Sequence, residues 1–522
     1  MRTEDQADVI AFLRAPSTHG GMPVEVIETH ASVVFLAGPR ALKLKRAVRY
    51  DYLDFSTAER RRLMCEAEFR INRAAAPEIY QGVIAVTRGP EGALALDGSG
   101  DPVESLLVMT RFDQDGLFDR LAEGGLLPLA LMPGLAAAVA ELHAVAERRT
   151  DHGGTRGMTW VIDGNAAGFG DDGLDVVDPA AGDRLLTRSR EAVARHGPLL
   201  DLRQRTGFVR QCHGDLHLRN IVLLNERVSL FDAVEFNDEI ACVDVLYDLA
   251  FLMMDLWHRR LPHHANVVLN EYLSRTADFG GLALLPLFLS CRAAVRAKTS
   301  LVAATLHGDP NVAADLRSAA RAYLEMAETL LRAAPPCLVA IGGLSGSGKS
   351  TLAMTLAPHL GAAPGAVVLR SDVVRKRLFG AGPHDSLGPD GYTADVNRRV
   401  YDELSARAIA VVANGQAAIV DAVYARRDDR DAIERAARSA GVPLAGLWLD
   451  APAVVLTTRV EGRTGDASDA DAAVVQAQAA TDPGVIAWPR LNAAVGASEV
   501  ARVAVAALRT HFGPTMVHDP RR

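Results

Sequence analysis

The chain is short of cysteine, of aromatic residues and of any excess of positive charge, and each shortage removes a class of protein. Its five cysteines (Cys65, Cys212, Cys242, Cys291 and Cys337) are odd in number, widely spaced and form no C-x-x-C pair. That excludes disulfide scaffolds and zinc frameworks, and fits reduced thiols in a cytoplasmic protein. Lys and Arg total 56 against 64 Asp and Glu, a formal net charge of −8, so the overall basic footprint of a duplex-binding protein is missing. The longest apolar stretch, Gly281 to Cys291, stops at Arg292. A spanning helix needs roughly 20 such residues, so no membrane span is expected. The opening MRTEDQADVIAFLRAP has no clean apolar core and no small-residue cleavage site, so no signal peptide is expected either. What remains is an ordinary globular composition, 49% hydrophobic and 23% charged over 522 residues, enough for about two to four domains.

One seam divides the texture of the sequence. A long helical pattern ends at Pro335-Pro336, because two prolines cannot continue a helix. We therefore place one domain at 1–334 and a second at 337–522. The first reads as strands at Val24–Thr29, Ser32–Ala37 and Arg40–Arg46, a helix at Thr57–Arg73, a strand at Leu106–Arg111 and mostly helices beyond Ile221. That order is an α+β arrangement. The second alternates strands (337–342, 366–371, 417–421, 444–449) with helices (349–359, 393–413, 428–440, 497–510). Such alternation indicates βαβ units and a parallel sheet.

The second half carries the most specific motif. Gly343-Leu-Ser345-Gly346-Ser347-Gly348-Lys349-Ser350-Thr351 follows an apolar strand and opens a helix. In that setting glycines let successive backbone N–H groups converge on phosphate oxygens, the lysine reaches the β/γ-phosphates, and the serine hydroxyl ligates Mg²⁺. Asp372 and Asp421 each end a strand, where a parallel sheet places its ligand. One can serve as base for an acceptor hydroxyl and the other can hold Mg²⁺ through water; helix capping is the competing reading of both. Arg459 and Arg463 stand four apart before a Gly/Ser/Asp-rich stretch, the pattern of an arginine-bearing lid or of a solvated charged face. With Ser371, Asp372 and Arg375 in an S-D-x-x-R string, residues 337–511 resemble the small P-loop kinases, among them polynucleotide kinase 5′-kinase domains, gluconate kinases and chloramphenicol phosphotransferases. The resemblance implies that Asp372 is the general base and that Arg375 contacts acceptor or phosphate.

The first half carries a different constellation. His213-Gly-Asp215-Leu-His-Leu-Arg-Asn220 precedes two apolar runs, the second ending at Asp232. Phosphoryl transfer to a hydroxyl needs an acid to take the acceptor proton, and an amide and a second acid to hold Mg²⁺ on the triphosphate. Asp215, Asn220 and Asp232 supply those types in that order. Lys43 lies on the third strand with Lys45 on the same face, and Glu68 and Glu66 lie on the following helix. One lysine–glutamate pair is expected to position ATP, with Lys43 and Glu68 preferred. The string 213–220 resembles the catalytic loop of the aminoglycoside phosphotransferase family, over residues 20–330, which implies a protein-kinase-like fold. Leu142-His143 and the run Asp244–Asp255 fit the same family. Gly214 stands where protein kinases carry arginine, and the turn at Glu28–Ser32 has no G-x-G-x-x-G.

The expected fold is thus an α+β protein-kinase-like domain followed by an α/β P-loop NTPase domain with a parallel sheet. The expected activity is ATP- and Mg²⁺-dependent transfer to small-molecule hydroxyl acceptors at two sites. One alternative makes the second half a polynucleotide 5′-hydroxyl kinase, using a local groove of Arg375, Lys376, Arg377, Arg398 and Arg399; the net acidity disfavours it. Another makes one half a non-catalytic nucleotide-binding regulatory module. Acceptor identity and oligomeric state are left open by the sequence.

Overall fold

The computed structural model describes every residue except 1–2, 51, 172–177, 333, 383–384, 463–467, 481 and 519–522. The chain gathers into two compact units, residues 1–161 with 197–255 and residues 162–196 with 256–522.

The first unit is built on an antiparallel sheet. Its strands are β1 (Val24–Glu28), β2 (Ser32–Ala37), β3 (Arg40–Lys45), β4 (Tyr80–Arg88), β5 (Leu94–Leu96) and β6 (Asp101–Thr110), in the order β1-β2-β3-β6-β4-β5. Period-two alternation sends Leu42 and Leu44 of β3 into a core with Val33, Phe35, Val86 and Leu106. The same alternation turns Lys43 and Lys45 to the opposite face. Helix α1 (Ala58–Ala75) starts at Thr57, whose side chain accepts from the Arg60 amide, a standard N-cap. It packs on β4 and β6. Its buried stripe is Arg61, Cys65, Glu68 and Asn72, mostly polar at three- and four-residue spacing. A polar stripe on a buried helix face needs partners: Glu104 of β6 pairs with Arg61, and β3 and residue 233 serve Glu68 and Asn72. After helix α2 (Met132–Val145), the chain forms the ribbon β7 (Ile221–Leu224) and β8 (Arg227–Leu230), then enters helix α3 (Val245–His258).

The second unit contains helices α4 (Pro262–Thr276), α5 (Leu285–Leu306) and α6 (Pro310–Leu331) and a five-stranded parallel sheet. In chain order the sheet strands and their flanking helices are β9 (Leu338–Gly343), α7 (Lys349–Leu356), β10 (Val367–Arg370), α8 (Ser371–Leu378), α9 (Ala394–Ala413), β11 (Ala418–Asp421), α10 (Arg427–Ala440), β12 (Leu444–Asp450), α11 (Ala453–Glu461), α12 (Ala472–Ala479), β13 (Arg490–Asn492) and α13 (Ala497–Phe512). The strand order is β10-β11-β9-β12-β13. Register pairs both Ile341 and Arg370 with Asp421, so three strands end level at the phosphate loop. The strands are near-continuous apolar runs (Val339, Ile341, Ile419, Leu447 and Leu449 are all buried), as expected for a sheet covered on both faces.

Strand β13 and helices α8, α11 and α12 go beyond the elements read from sequence. The seam at 334–337 lies inside the second unit, because helix α4 packs on β10. Helix α5 runs straight through Arg292, itself only 4% exposed. The Phe279–Leu306 segment is therefore long and apolar enough by composition to cross a membrane, where the run ending at Cys291 was too short. Of its apolar window 67% is buried inside the fold, and Ser290 Oγ donates to the Ala327 carbonyl at 2.8 Å.

Candidate active sites

In the first unit, five charged groups converge. Lys43 Nζ lies 2.7 Å from Glu68 Oε1 and 2.6 Å from Asp232 Oδ1. Lys45 Nζ lies 2.6 Å from the other oxygen, Glu68 Oε2, and also pairs with Glu235. Glu68 is fully buried. Burial opposes its charge, but the ammonium groups of Lys43 and Lys45 hold its carboxyl down to about 2. Burial likewise opposes the Lys43 charge, and Asp232 and Glu68 raise it well above its ordinary value. Glu235 goes the other way: burial, with the Glu68 charge behind it, outweighs Lys45 and pushes it up to about 7.

The alternatives of the sequence separate here. Lys43 is the lysine beside Asp232, and Lys45 is fully enclosed between two glutamates. Glu66 faces away, paired with Arg62 on the exposed side of α1. Asp232 has φ +62°, a left-handed conformation uncommon outside glycine and one that aspartate tolerates better than most residues. Its amide donates to Tyr80 Oη at 2.9 Å, and the next amide, Ala233, donates to Asn72 Oδ1 at 2.7 Å. These bonds hold the turn that presents the Asp232 carboxylate, which stays about half exposed.

The 213–220 loop is held from below. Asn220 Nδ2 donates to the Asp215 carbonyl (2.9 Å) and to Asp215 Oδ2 (3.1 Å). His213 Nε2 meets the Phe231 carbonyl at 2.9 Å, tying this loop to the Asp232 turn. Asp248 Oδ1 accepts from the Gly214 amide (2.8 Å), and its Oδ2 accepts from the His213 amide and lies 3.1 Å from His143 Nε2. One helical stretch further along α3, Asp255 accepts from the Leu218 amide at 3.0 Å. Sequence reasoning had noted His143 and the Asp244–Asp255 run without giving them a task. Asp248 and Asp255 stand seven residues apart on one helix, which marks a shared face but not what that face holds. Asp215 itself remains open to solvent, with side-chain exposure of 41%.

The turn after β1 is closed by its own side chain. Thr29 Oγ1 accepts from the Ser32 amide at 3.0 Å, so a short Ser/Thr turn stands where a glycine-rich phosphate cover was absent from the sequence. Among the described residues, the groups with metal-binding spacing are His143–Cys212–Asp248 and His152–Asp238–Cys242. The first is the loop anchor just described, and the second holds the Arg149 guanidinium, which contacts both Asp238 and Cys242.

In the second unit the loop between β9 and α7 has Gly343, Gly346 and Gly348 at φ +142°, +83° and +89°. At Gly346 a Cβ would sit 2.6 Å from the Leu456 carbonyl oxygen, so both conformation and space demand glycine there. Ser350 Oγ donates to Asp421 Oδ2 at 2.5 Å. A cavity of about 900 Å³ opens over this loop, and Ser345, Lys349, Thr351, Asp372, Arg375 and Asp421 are among the residues lining it. Burial, together with the Asp421 charge, raises the Asp372 carboxyl above the ordinary carboxylate range against Ser468, Lys349 and Arg370. Arg375 donates to the Gly391 carbonyl at 2.8 Å and lies over the Tyr392 ring at 4.8 Å.

Two expectations change. Arg459 does not line the cavity; its guanidinium donates to the Ala493 carbonyl at 2.8 Å, because helix α11 turns that face toward the end of β13. Arg463 lies outside the described residues. Among the described residues, the arginines that line the cavity are Arg375, Arg398 and Arg426. Of the five cations expected to form a groove, Lys376 is buried against Asp469 at 3.1 Å and Arg377 donates to the Ser274 carbonyl at 3.2 Å, so the continuous basic stripe does not form. Gln478 went unnoticed in the sequence; its side-chain oxygen accepts from the Ser345 amide at 2.9 Å.

Both donor sets are oxygens of the hard type that Mg²⁺ prefers: Asn220 and Asp232 in one, Ser350 and Asp421 in the other. A family model described as an AAA domain (AAA_33) matches residues 338–482. The uncharacterized protein Rv2004c of Mycobacterium tuberculosis (strain H37Rv) is 30% identical over 466 residues, covering 88% of this chain and 90% of its own length. Among solved structures, a sugar kinase from Janibacter sp. HTCC2649 is 22% identical over 35% of this chain and all of its own, with a TM-score of 0.28. A choline/ethanolamine kinase family protein from Mesorhizobium loti is 16% identical over 62% of this chain and 94% of its own, with a TM-score of 0.40.

Proposed function

The chain belongs to the same family as the mycobacterial protein Rv2004c, and on that premise we propose that it is a two-site phosphotransferase using ATP and Mg²⁺. The match to that relative spans both halves, 88% of this chain and 90% of the relative, so the two halves belong together in one protein of this family. The observation that carries the reading is the convergence of Lys43 on Glu68 and Asp232 in a chain that also holds a glycine phosphate loop at a strand end.

At the first site Lys43 and the glutamate that fixes it orient the triphosphate. Asn220 and Asp232 would hold Mg²⁺, which when bound neutralises charge on the phosphates. Asp215 orients the acceptor hydroxyl and takes its proton; Asn220 and the anchors Asp248 and Asp255 keep it in place. At the second site the 343–351 backbone and Lys349 cradle the phosphates, Ser350 and Asp421 would hold Mg²⁺, and Asp372 receives the acceptor proton. Burial raises the Asp372 carboxyl above its ordinary range, which makes it the stronger base for an acceptor hydroxyl. Arg375, which lines the cavity, contacts the acceptor or the phosphate. The kinase-like motifs lie within residues 1–334 and the P-loop motifs within 337–522, and the acceptors are small hydroxyl compounds rather than nucleic acid, since the basic stripe is dispersed.

The test is a screen of metabolites for γ-phosphate transfer with wild type, Asp215→Ala and Lys349→Ala. Each variant is expected to lose one set of products and keep the other. Retention of all products by both variants would overturn the proposal.

A further inference from the structure

The edge of the parallel sheet is finished by side chains, not by another strand. Strand β10 is outermost, and on its inner side the Val367 amide donates to the Ala417 carbonyl. On the open side an unpaired row of backbone groups would remain. Two asparagines of α4 occupy that row. Asn270 Oδ1 accepts from the Val368 amide at 2.6 Å, and its Nδ2 donates to the Ala366 carbonyl at 3.2 Å. Asn266 Nδ2 donates to the Pro364 and Ala366 carbonyls, both at 3.1 Å. An amide offers one acceptor and two donors, so the pair imitates the hydrogen bonds of a neighbouring strand. Both side chains are buried and are linked to each other at 3.0 Å. One turn further along, the Ser274 carbonyl accepts from Arg377 of α8.

The position of this brace matters because β10 ends at Arg370 and α8, which begins at Ser371, carries Asp372 and Arg375. We infer that Asn270, seconded by Asn266, is a positioning residue for the P-loop site, fixing the height of β10 and through it the placement of Asp372. The helix that does this precedes the Pro335-Pro336 seam by about 60 residues of sequence. The working P-loop unit therefore begins inside what reads as the kinase-like half. Separating the halves at the seam strips the edge of β10. The inference rests on the proposed role of Asp372 and goes beyond it by naming what holds that residue.

The experiment uses the full-length chain and MgATP with water as acceptor, following Lys349-dependent ATP hydrolysis, alongside amide hydrogen exchange. Asp372→Asn first checks the reading itself: hydrolysis is expected to fall at least tenfold, and an unchanged rate would refute the role of Asp372 without touching the brace. Asn270→Ala is then expected to lower kcat about tenfold with KM for ATP within twofold, and to speed exchange in peptides covering 366–374 while those covering 343–351 stay protected. Asn270→Asp, which keeps the acceptor for Val368, is expected to recover part of kcat. It also carries the test if the alanine variant does not fold. Normal kcat and unchanged exchange at 366–374 in either folded variant, with Asp372→Asn impaired, would overturn the inference. So would an equal loss in KM and in 343–351 protection, which marks general loosening.

Discussion

The two sites answer the same electrostatic problem with different materials. In the P-loop unit the phosphate cradle is the continuous stretch 343–351, whose backbone supplies the positive field, and Gly343, Gly346 and Gly348 hold φ values that favour glycine. In the kinase-like unit the field comes from side chains. Lys43 and Lys45 on a strand, Glu68 on a helix, and Asp232 and Glu235 on a turn come together, with the Lys45–Glu235 pair 190 positions apart in sequence. Backbone dipoles do not titrate and need no counter-charge. Buried ammonium and carboxylate groups do both, and removing one leaves the others exposed to the full cost of burial. Thus the P-loop site should fail in activity alone, and the ion network should fail in activity and stability together.

The sharpest way to break that contrast is at the phosphate contacts. Lys349→Ala should lower transfer at its own site by on the order of 10³-fold, in the range of lost phosphate clamps, with thermal unfolding unchanged. Asp215→Ala, which removes the acceptor base and not a phosphate contact, should lower transfer at the other site by a similar factor. Product profiles from both variants measure it, and a single variant that silences both sites would make them one composite centre.

Next in size is the shared glutamate. Glu68→Gln leaves two buried ammonium groups without their common partner and should cost about 3–5 kcal/mol in denaturant unfolding. Lys43→Met should abolish transfer at this site, whereas Lys45→Met should chiefly destabilise, because only Lys43 reaches Asp232. Equal loss of activity with equal stability in both would erase the distinction drawn between them.

The network should also carry a pH signature of its own. Glu68 is depressed from 4.5 to about 2, so its stabilisation is complete above about 4.5 and fades as pH falls toward 2. Glu235 is raised from 4.5 to about 7, so the native state holds a proton that the unfolded chain has released. Stability should therefore fall as pH rises from 4.5 to 7 and level off above. Denaturant unfolding of wild type and Glu235→Gln across pH 4.5–8 checks this, and the variant should remove the decline.

The smallest effect concerns the misplaced arginine. Arg459→Ala should leave transfer within twofold, since the side chain serves the Ala493 carbonyl, whereas Arg375→Ala should cost about tenfold or more in kcat/KM for the acceptor.

These differences explain what the sequence could reveal. A backbone cradle must be local, so Gly343–Thr351 announced itself, as did 213–220, where Asp215 and Asn220 stand five apart. Lys43 emerged because a strand's alternation limits which lysines share a face, but choosing it over Lys45 required Asp232, far along the chain. Asp248 and Asp255 act on backbone amides, which have no sequence signature, so the familiar run gave no hint of its task. Arg459 and Arg463 were spaced for one helix face, and spacing alone does not say where that face points. Asn266 and Asn270 looked like ordinary polar helix residues because an open strand edge is invisible until the sheet order is known.

The central claim, two independent nucleotide sites on one chain, is tested most directly by counting. Equilibrium dialysis with a non-hydrolysable ATP analogue and Mg²⁺ should find two molecules bound per wild-type chain, one in Lys349→Ala, one in Lys43→Met, and none in the double variant. A single molecule bound to wild type, or none bound to either single variant, would contradict it.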